Sequence, residues 1–585
     1  MGEHNFAALP GKSTIEPIHI LNNVLEDARE NRKELWVLMQ DMSKAYDLVN
    51  RDNLWKAMSR IKIPQKFINI IRNSLINRKN RVITDLGMTE EYHMNNGIDQ
   101  GEIISPLLWI IYYNPLFSKI ENQAGLGYTL SNSWKQRLNQ HYPTHSLTVE
   151  VFNIAYMDDT TWIGNNKENL EKQLTIADSF NRYNGIRVNA TKSKLLVLNS
   201  KEPLDNKFVK YGKHESIIYP EKDGTSVRFL GVWISNKFNK NFVLNQTLKD
   251  VAQIYNITKS KMITAEQTTY VINAVAIPRI EYKSHLTVFN EAEAKKITMK
   301  LRKLLRYKIG LLNTAPNILL NIKQIYNMID FYDRQTENHV NNLLLRLNDL
   351  GILGTTTEIR LRQLQQKEWL HDCPLEVWNY NNVNTFKYNL IGQVLCLMNS
   401  LGLSINPSYH LRESFKIEPG NAPLIDIFGN NYRNNITSFK KKNLMHLEQL
   451  LYKGSVSLIQ WNELNMKFKG KKPNWWTDLK LKVIDENQKL PLKFKDKIDI
   501  NKIVSSNSGI LPYLNLDGRK KNWITGIFDK EIKNLDGSFT KEINQIYGRL
   551  LTKKKQISTS DDIKIEHFCM TKTLSGKLAL MKCQD

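Results

Sequence analysis

Ala155-Tyr156-Met157-Asp158-Asp159-Thr160 sets two carboxylates side by side at the tip of an apolar run that begins near Val149. Adjacent carboxylates repel each other and Asp is a poor strand former, so a fold that keeps them beside buried strands generally uses a cation to hold them. The plain alternative is a hairpin turn, where Asp is common, and the hexapeptide alone favours neither reading. A second stretch changes the balance. Leu38-Met39-Gln40-Asp41-Met42-Ser43-Lys44-Ala45-Tyr46-Asp47 also ends an apolar strand with an Asp, followed at once by what reads as a helix start. Two such strand ends meeting in one sheet would bring Asp41 beside Asp158 and Asp159, a three-carboxylate cage suited to two Mg²⁺ ions about 4 Å apart. One ion would activate an attacking hydroxyl and the other steady a leaving pyrophosphate, which is nucleotidyl-transfer chemistry. For Asp41 the alternative is an N-cap of the following helix.

Between these stretches lies Asn96-Gly97-Ile98-Asp99-Gln100-Gly101-Glu102-Ile103-Ile104-Ser105-Pro106. Gly97 and Gly101 let backbone approach a ligand closely, Gln100 offers an amide, and Ser105 with Pro106 opens a helix whose amino end favours phosphate. Taken singly, this is an ordinary loop-to-helix junction.

Around these segments the pattern alternates. Apolar residues at helical spacing predict a helix over Ile15 to Ala28, and Leu35 to Met39 reads as a strand buried on both faces. Helices follow at Asp52 to Arg60 and from Pro64 to Ile76, then a hairpin around Asp85-Leu86-Gly87. Ser105 to Lys119 and Asn169 to Tyr183 are helices, the second closed by Gly185. Strands at Arg187 to Val188, Leu195 to Leu198 and Val227 to Ile234 complete an α+β sheet with helices on one face. Asn122 to Thr148 reads as a surface insertion. Beyond Asn239 the texture is helical, over Phe242 to Tyr255, Ala265 to Ile277, Ala292 to Leu305 and Phe331 to Leu347. From about Leu353 no fold is legible.

The chain has 585 residues, long enough for several packed units, and 41% hydrophobic with 24% charged residues is the profile of a folded protein. Its net charge of +24 calls for a polyanionic partner, most often nucleic acid. The surplus is densest over Trp461 to Asp585, which holds 25 basic and 15 acidic residues. Lysine runs near Trp475, Trp476 and Trp523 would combine charge with base stacking, although buried tryptophans under a solvated face are the more ordinary account. No apolar run is long enough to span a bilayer, and no signal peptide opens the chain, so it is not expected to be secreted or membrane-bound. Cys373, Cys396, Cys569 and Cys583 lack metal-binding spacing and read as reduced thiols of the cytosol or nucleus. His567, Cys569 and Cys583 have no fourth ligand nearby to complete a zinc site. Gly11-Lys12-Ser13-Thr14 ends like a phosphate-binding loop, but Phe6 stands where the earlier glycine is required.

Taken in order, Asp41 through Asp47, Gln100-Gly101 with Ser105-Pro106, and Tyr156-Met157-Asp158-Asp159 resemble motifs A, B and C of reverse transcriptases, most closely the type encoded by non-LTR (LINE-like) retrotransposons. Gly185 to Lys194 resembles motif D, Phe229-Leu230-Gly231-Val232 the primer-grip motif E, and Phe6 to Thr14 the segment joining fingers to palm. The resemblance implies a right-hand polymerase: residues 1–34 the residual fingers and their junction, 35–238 the palm, 239–352 a helical thumb. Residues 353–585 are left as a basic region of unknown fold, expected to bind nucleic acid. By position it makes Asp41, Asp158 and Asp159 ligands of Mg²⁺, with Mn²⁺ as a substitute. Tyr46 becomes a steric gate against a ribose 2′-hydroxyl, or else a core aromatic. Gln100, Gly101, Ser105 and Pro106 become contacts to nucleotide or template, and Lys192 a proton donor to pyrophosphate, or else a solvated lysine. Asp47 is expected to bond nearby backbone amides. The implied function is RNA-directed DNA polymerase, with an RNA template, a DNA primer and deoxynucleotide triphosphates as partners. Family members usually carry longer fingers and often an upstream endonuclease domain, neither expected here. The alternative is therefore a truncated, inactive retroelement remnant that only binds nucleic acid. An RNA-dependent RNA polymerase is disfavoured by Tyr46 and the Tyr-Met-Asp-Asp box.

Overall fold

The structure, a computed structural model, describes residues 4–483 except 44, 77, 95, 135–144, 213–215, 314–316, 323–324, 372, 376–377, 379, 403–421, 453–456 and 469–470, together with two paired strands, Phe568–Lys572 and Leu578–Lys582. At its centre Leu35–Gln40 runs between Lys194–Leu198 and Asp159–Gly164, and Asn153–Tyr156 closes the four-stranded antiparallel sheet. Because side chains alternate along a strand, Leu35 and Val37 enter one core with Leu21, Val24 and Ile163, while Trp36 and Leu38 enter another with Trp109, Trp162 and Leu170. A strand with no polar face cannot border water. Helices therefore cover both faces of the sheet, not the one face expected. Arg51–Arg60, Ser105–Glu121 and Lys167–Asn184 back one side, and Ile15–Asn31 with Phe331–Leu347, Ile352–Glu368 and Leu390–Leu401 back the other.

Local chemistry sets the element ends. Asn50 caps Arg51–Arg60 by accepting from the Asn53 N–H at 3.0 Å, and Asn166 caps Lys167–Asn184 through the Asn169 N–H at 2.8 Å. Gly185 ends the latter helix at φ +69°, as its position predicts. Asp41, by contrast, is not an N-cap: Met42–Ser43 continues as a short strand paired with Arg187–Val188, and a turn separates it from the helix at Arg51. Val227–Ile234 is not one strand but two, Ser226–Phe229 and Val232–Ser235, reversed at Leu230-Gly231 where both residues have positive φ.

The stretch expected to be a surface insertion packs into the molecule. Tyr128–Trp134 pairs with His145–Val151, Tyr128 and Leu130 are buried, and the Tyr128 hydroxyl donates to the buried Asp27 carboxylate at 2.6 Å. Gln363 spans the same place, donating to Asp27 at 2.6 Å and to the Ser131 carbonyl at 2.9 Å.

Lys240–Lys259, Ala265–Val271, Ile277–Lys283 and Glu291–Ile309 form a helical unit around Val251, Ile272, Ile297, Leu301 and Leu305. Phe331 packs in that unit, while Val340 and Leu343 of the same helix enter the sheet core. Ile352–Glu368 runs across the division expected at 352/353 and is fixed to the first helix by ions: the buried Arg360 guanidinium lies 2.6 Å from Glu30 and 3.5 Å from Glu26. Removing Arg360 would leave the buried Glu26 carboxylate without its cation, a cost of about 3–5 kcal/mol, while Glu30 would keep Lys367 at 2.9 Å. A smaller core forms around Phe439, Trp475 and Trp476. Both tryptophans are almost fully buried, so base stacking is not their role, and Trp523 lies outside the described residues. Cys373 and Cys396 are buried thiols, and the side chains of His567, Cys569 and Cys583 lie outside the described residues. No helix among the described residues is long and apolar enough to cross a membrane.

Candidate active site

The register of the sheet decides what meets at its end. Gln40 is opposite Thr160, so Asp41 and Asp159, each one residue further out, leave the same edge on neighbouring strands. Asp159 is in turn paired with Tyr156, and Met157-Asp158 make the two-residue turn between them. Met157 sits at φ +57°, a conformation that costs a non-glycine residue about 1–3 kcal/mol. The turn is held from below, where the Trp109 indole N–H donates to the Met157 carbonyl at 2.8 Å and the Tyr46 hydroxyl donates to its sulfur at 3.5 Å.

Three carboxylates therefore crowd one sheet edge, and the electrostatics register it. Asp159 is exposed as a residue, yet protein atoms around its carboxyl raise its pKa to about 6, and the charges of Asp158 and then Asp41 push in the same direction. A donor set of acidic oxygens that repel one another fits a hard divalent cation. The side chains do not stand closed around one, however: among the described residues no three His, Cys, Asp or Glu groups form a metal-holding cluster.

Tyr46 is half-buried, its ring stacked on Trp109 with centroids 5.6 Å apart and planes at 24°, and Trp109 stacks in turn on Tyr113. Burial and then the Asp158 charge raise the Tyr46 pKa, so the phenol stays protonated next to the carboxylates. Asp47 is exposed, and its carboxylate makes none of the expected bonds to backbone amides among the described residues.

The glycine loop packs against Tyr46 and its neighbours. Gly97 donates to the Val49 carbonyl at 2.9 Å and Ile98 to the Tyr46 carbonyl at 3.0 Å. A Cβ on Gly97, at φ +85°, would stand 2.9 Å from the Asp47 carbonyl oxygen. The close approach foreseen at Gly97 is thus to protein backbone. Gly101, at φ +101°, has open space around it, and Gln100 beside it is exposed. Ser105 is buried with its hydroxyl unpartnered among the described residues, Pro106 is half-buried, and no side chain caps the amino end of this 17-residue helix. Arg78, not singled out in the sequence, lies 2.6 Å from Asp99 and 3.7 Å from Glu102 on the same loop.

Lys192 is exposed on a turn latched to Asp41. The Asn189 N–H donates to the Asp41 carbonyl at 2.9 Å, and the Ser193 hydroxyl accepts from the Asp41 N–H at 3.2 Å while donating to the Asn189 carbonyl at 2.9 Å. Ser193 was missed in the sequence, although Asn189 followed by Thr191-Lys192-Ser193 carries the signature of a side-chain-bonded turn.

Residues 1–234 match the family described as reverse transcriptase (RNA-dependent DNA polymerase). The retrovirus-related Pol polyprotein from type-1 retrotransposable element R2 of Popillia japonica is 21% identical over 269 residues, covering 45% of this chain and 35% of that one. Its counterpart in Nasonia vitripennis is 20% identical over 326 residues, covering 54% and 30%. The chain thus spans about a third of the length of these curated relatives. Among solved structures, apo telomerase from Candida tropicalis is similar at 14% identity, with a TM-score of 0.28 over 68% of this chain and 56% of that one.

Proposed function

We propose, from the premise that residues 1–234 are a reverse transcriptase domain of the non-LTR retrotransposon type, that this chain copies RNA into DNA at the sheet edge carrying Asp41, Asp158 and Asp159. In this reading residues 35–238 are the polymerase palm and the helices after 239 the thumb. The three carboxylates would hold Mg²⁺, which supplies activation of a primer hydroxyl and charge neutralisation of the departing pyrophosphate. Tyr46, with its flat ring fixed on Trp109, would border the sugar of the incoming nucleotide, and the uncapped helix at Ser105-Pro106 would face phosphate. Gln100 and Gly101, exposed at the loop, would contact nucleotide or template, and Lys192 would give a proton to pyrophosphate.

The observation that carries the reading is the register that brings Asp41 and Asp159 to one sheet end beside the Met157-Asp158 turn, where a bound divalent cation would offset their repulsion. Primer extension on poly(rA)/oligo(dT) tests it: the chain is expected to extend the primer with Mg²⁺, and Asp158→Ala to abolish extension. A second reading is a protein that binds nucleic acid without polymerising it, for which the net charge of +24 is the supporting observation. Absence of extension by the wild-type chain, with retained hybrid binding, would select that reading.

A further inference from the structure

The turn Leu230-Gly231 has φ values of +44° and +86°, so it is a strained reversal that its surroundings must hold. What holds it comes from the helical unit. The Tyr282 ring lies over Gly231, where a Cβ would come within 2.7 Å of Cε1, and its hydroxyl stands 2.7 Å from the Leu230 carbonyl and 2.9 Å from Thr14 Oγ1. A phenol has one proton. It is given to the carbonyl, which can only accept, and the Thr14 hydroxyl donates to the phenol oxygen.

One side chain thereby joins three elements: the residue that precedes the first helix, the strained turn, and the helix Ile277–Lys283. That helix is itself fixed, by Lys283 and Arg279 on Asp250 at 2.6 and 3.3 Å and by Arg334 on Glu281 at 3.1 Å. A five-residue π-helical stretch, Ile272–Ala276, immediately precedes it, an irregularity frequent at functional sites. Tyr282 is exposed, so water replaces its hydrogen bonds readily and folding gains little from them. Their specific effect is on where the turn sits.

We propose that Tyr282 is a positioning residue, which sets the Leu230-Gly231 turn against the helical unit and through it the seat of a primer 3′ end. The second half of this statement rests on the polymerase reading, in which the turn lies under the primer. Tyr282→Phe keeps the ring over Gly231 and removes both hydrogen bonds, and Thr14→Val removes one of them.

The experiment uses the full chain with Tyr282→Phe, Thr14→Val and the double variant, and two readouts: kcat and nucleotide KM in primer extension, and native-state amide exchange at Val232, which pairs with Phe229 across the turn. Tyr282→Phe is expected to lower kcat about tenfold through misplacement of the reacting end, with KM changed less than about twofold. Exchange at Val232 is expected to quicken in Tyr282→Phe, and the double variant to be no worse than that single one, since the bonds form one network. An unchanged kcat in an active chain, or unchanged exchange at Val232, overturns the proposal. If the wild-type chain extends no primer, the polymerase reading falls, while the exchange measurement still decides whether Tyr282 holds the turn.

Discussion

Asp41 is held by its backbone to Ser193: the Asp41 N–H donates to the Ser193 hydroxyl at 3.2 Å, and that hydroxyl donates onward to the Asn189 carbonyl at 2.9 Å. The strand ends at Gln40, so its ladder leaves the Asp41 N–H without a partner, although the Asp41 carbonyl accepts from the Asn189 N–H. Ser193 supplies the missing partner. Ser193→Ala is expected to lower stability by about 1 kcal/mol, the usual worth of a partly buried hydrogen bond, and to lower kcat about tenfold. Urea unfolding and primer extension check it together, and a variant with wild-type kcat would show that Asp41 is placed without the latch.

Gly97 and Gly101 both have positive φ but differ in their surroundings, which separates backbone strain from steric exclusion. Gly101→Ala meets only strain, of about 1–2 kcal/mol. Gly97→Ala must in addition push back the Asp47 carbonyl, so a loss of about 3 kcal/mol or more is expected. Chemical denaturation of the two variants should rank them in that order, and equal losses would mean that the Tyr46–Asp47 turn yields easily.

The raised pKa of Asp159 fixes the sign of a pH effect. Its folded value of about 6 lies above the ordinary aspartate value of 3.8. Between these values the native state binds more protons than the unfolded one, so stability attributable to Asp159 falls as pH rises through this window. Asp159→Asn is therefore expected to be more stable than the wild type at pH 7.5, and the advantage to vanish below about pH 4. Added Mg²⁺ should raise the wild-type melting temperature and leave that of the variant nearly unchanged. Equal metal shifts in both proteins would remove Asp159 from the ligand set.

A second pH effect has the opposite sign. The buried His19 and the half-buried His285 approach within 2.9 Å, and His339 is buried near Arg346. Burial, reinforced by the neighbouring Arg346 and histidine charges, lowers all three, His285 to about 4 and His339 to about 3. Their neutral forms stabilise the fold fully above the unfolded value of 6.5, and that stability is lost as pH falls from there toward the folded values. Each such histidine contributes on the order of 1.4 kcal/mol per pH unit. His285→Gln should flatten the fall in unfolding free energy between pH 6.5 and 5, and a slope identical to wild type would show that the cluster is protonated without unfolding.

The acidic edge was legible because Asp41 and Asp158-Asp159 interrupt apolar runs, and the helix end at Gly185 was legible because such a cap acts locally. Ile352–Glu368 was not. It buries Thr356, Thr357, Glu358, Arg360 and Gln365 among Ile359, Leu361 and Leu364, so polar and apolar residues mix over its buried positions and blur the apolar period. The reversal at Leu230-Gly231 was read through as one strand for a related reason: leucine at positive φ is a tertiary effect, here with the Tyr282 hydroxyl on its carbonyl. Met157, also at positive φ, keeps the pair of Asp residues at a turn, and its support, Trp109, lies 48 residues away.

The helix Glu291–Ile309 presents a last test. Its inward face is apolar, through Ile297, Leu301 and Leu305, while Lys296, Lys300 and Lys303 recur on the exposed side at helical spacing with no acidic partner among the described residues. Tyr307 continues the stripe, its ring flanked by Lys259 and Lys308 at 5.9 and 5.8 Å. Such a row matches a phosphate backbone, and it lies in the unit proposed as the thumb. Replacing Lys296, Lys300 and Lys303 together by Gln is expected to leave folding intact, since all three are exposed. It should weaken binding of an RNA–DNA hybrid and reduce the salt dependence of log K by roughly two to three, about 0.9 for each phosphate that is no longer neutralised. Fluorescence anisotropy across a salt series measures both quantities. A variant with lower affinity but an unchanged slope would mean that these lysines act without touching phosphate, and unchanged affinity would place the hybrid elsewhere on the molecule.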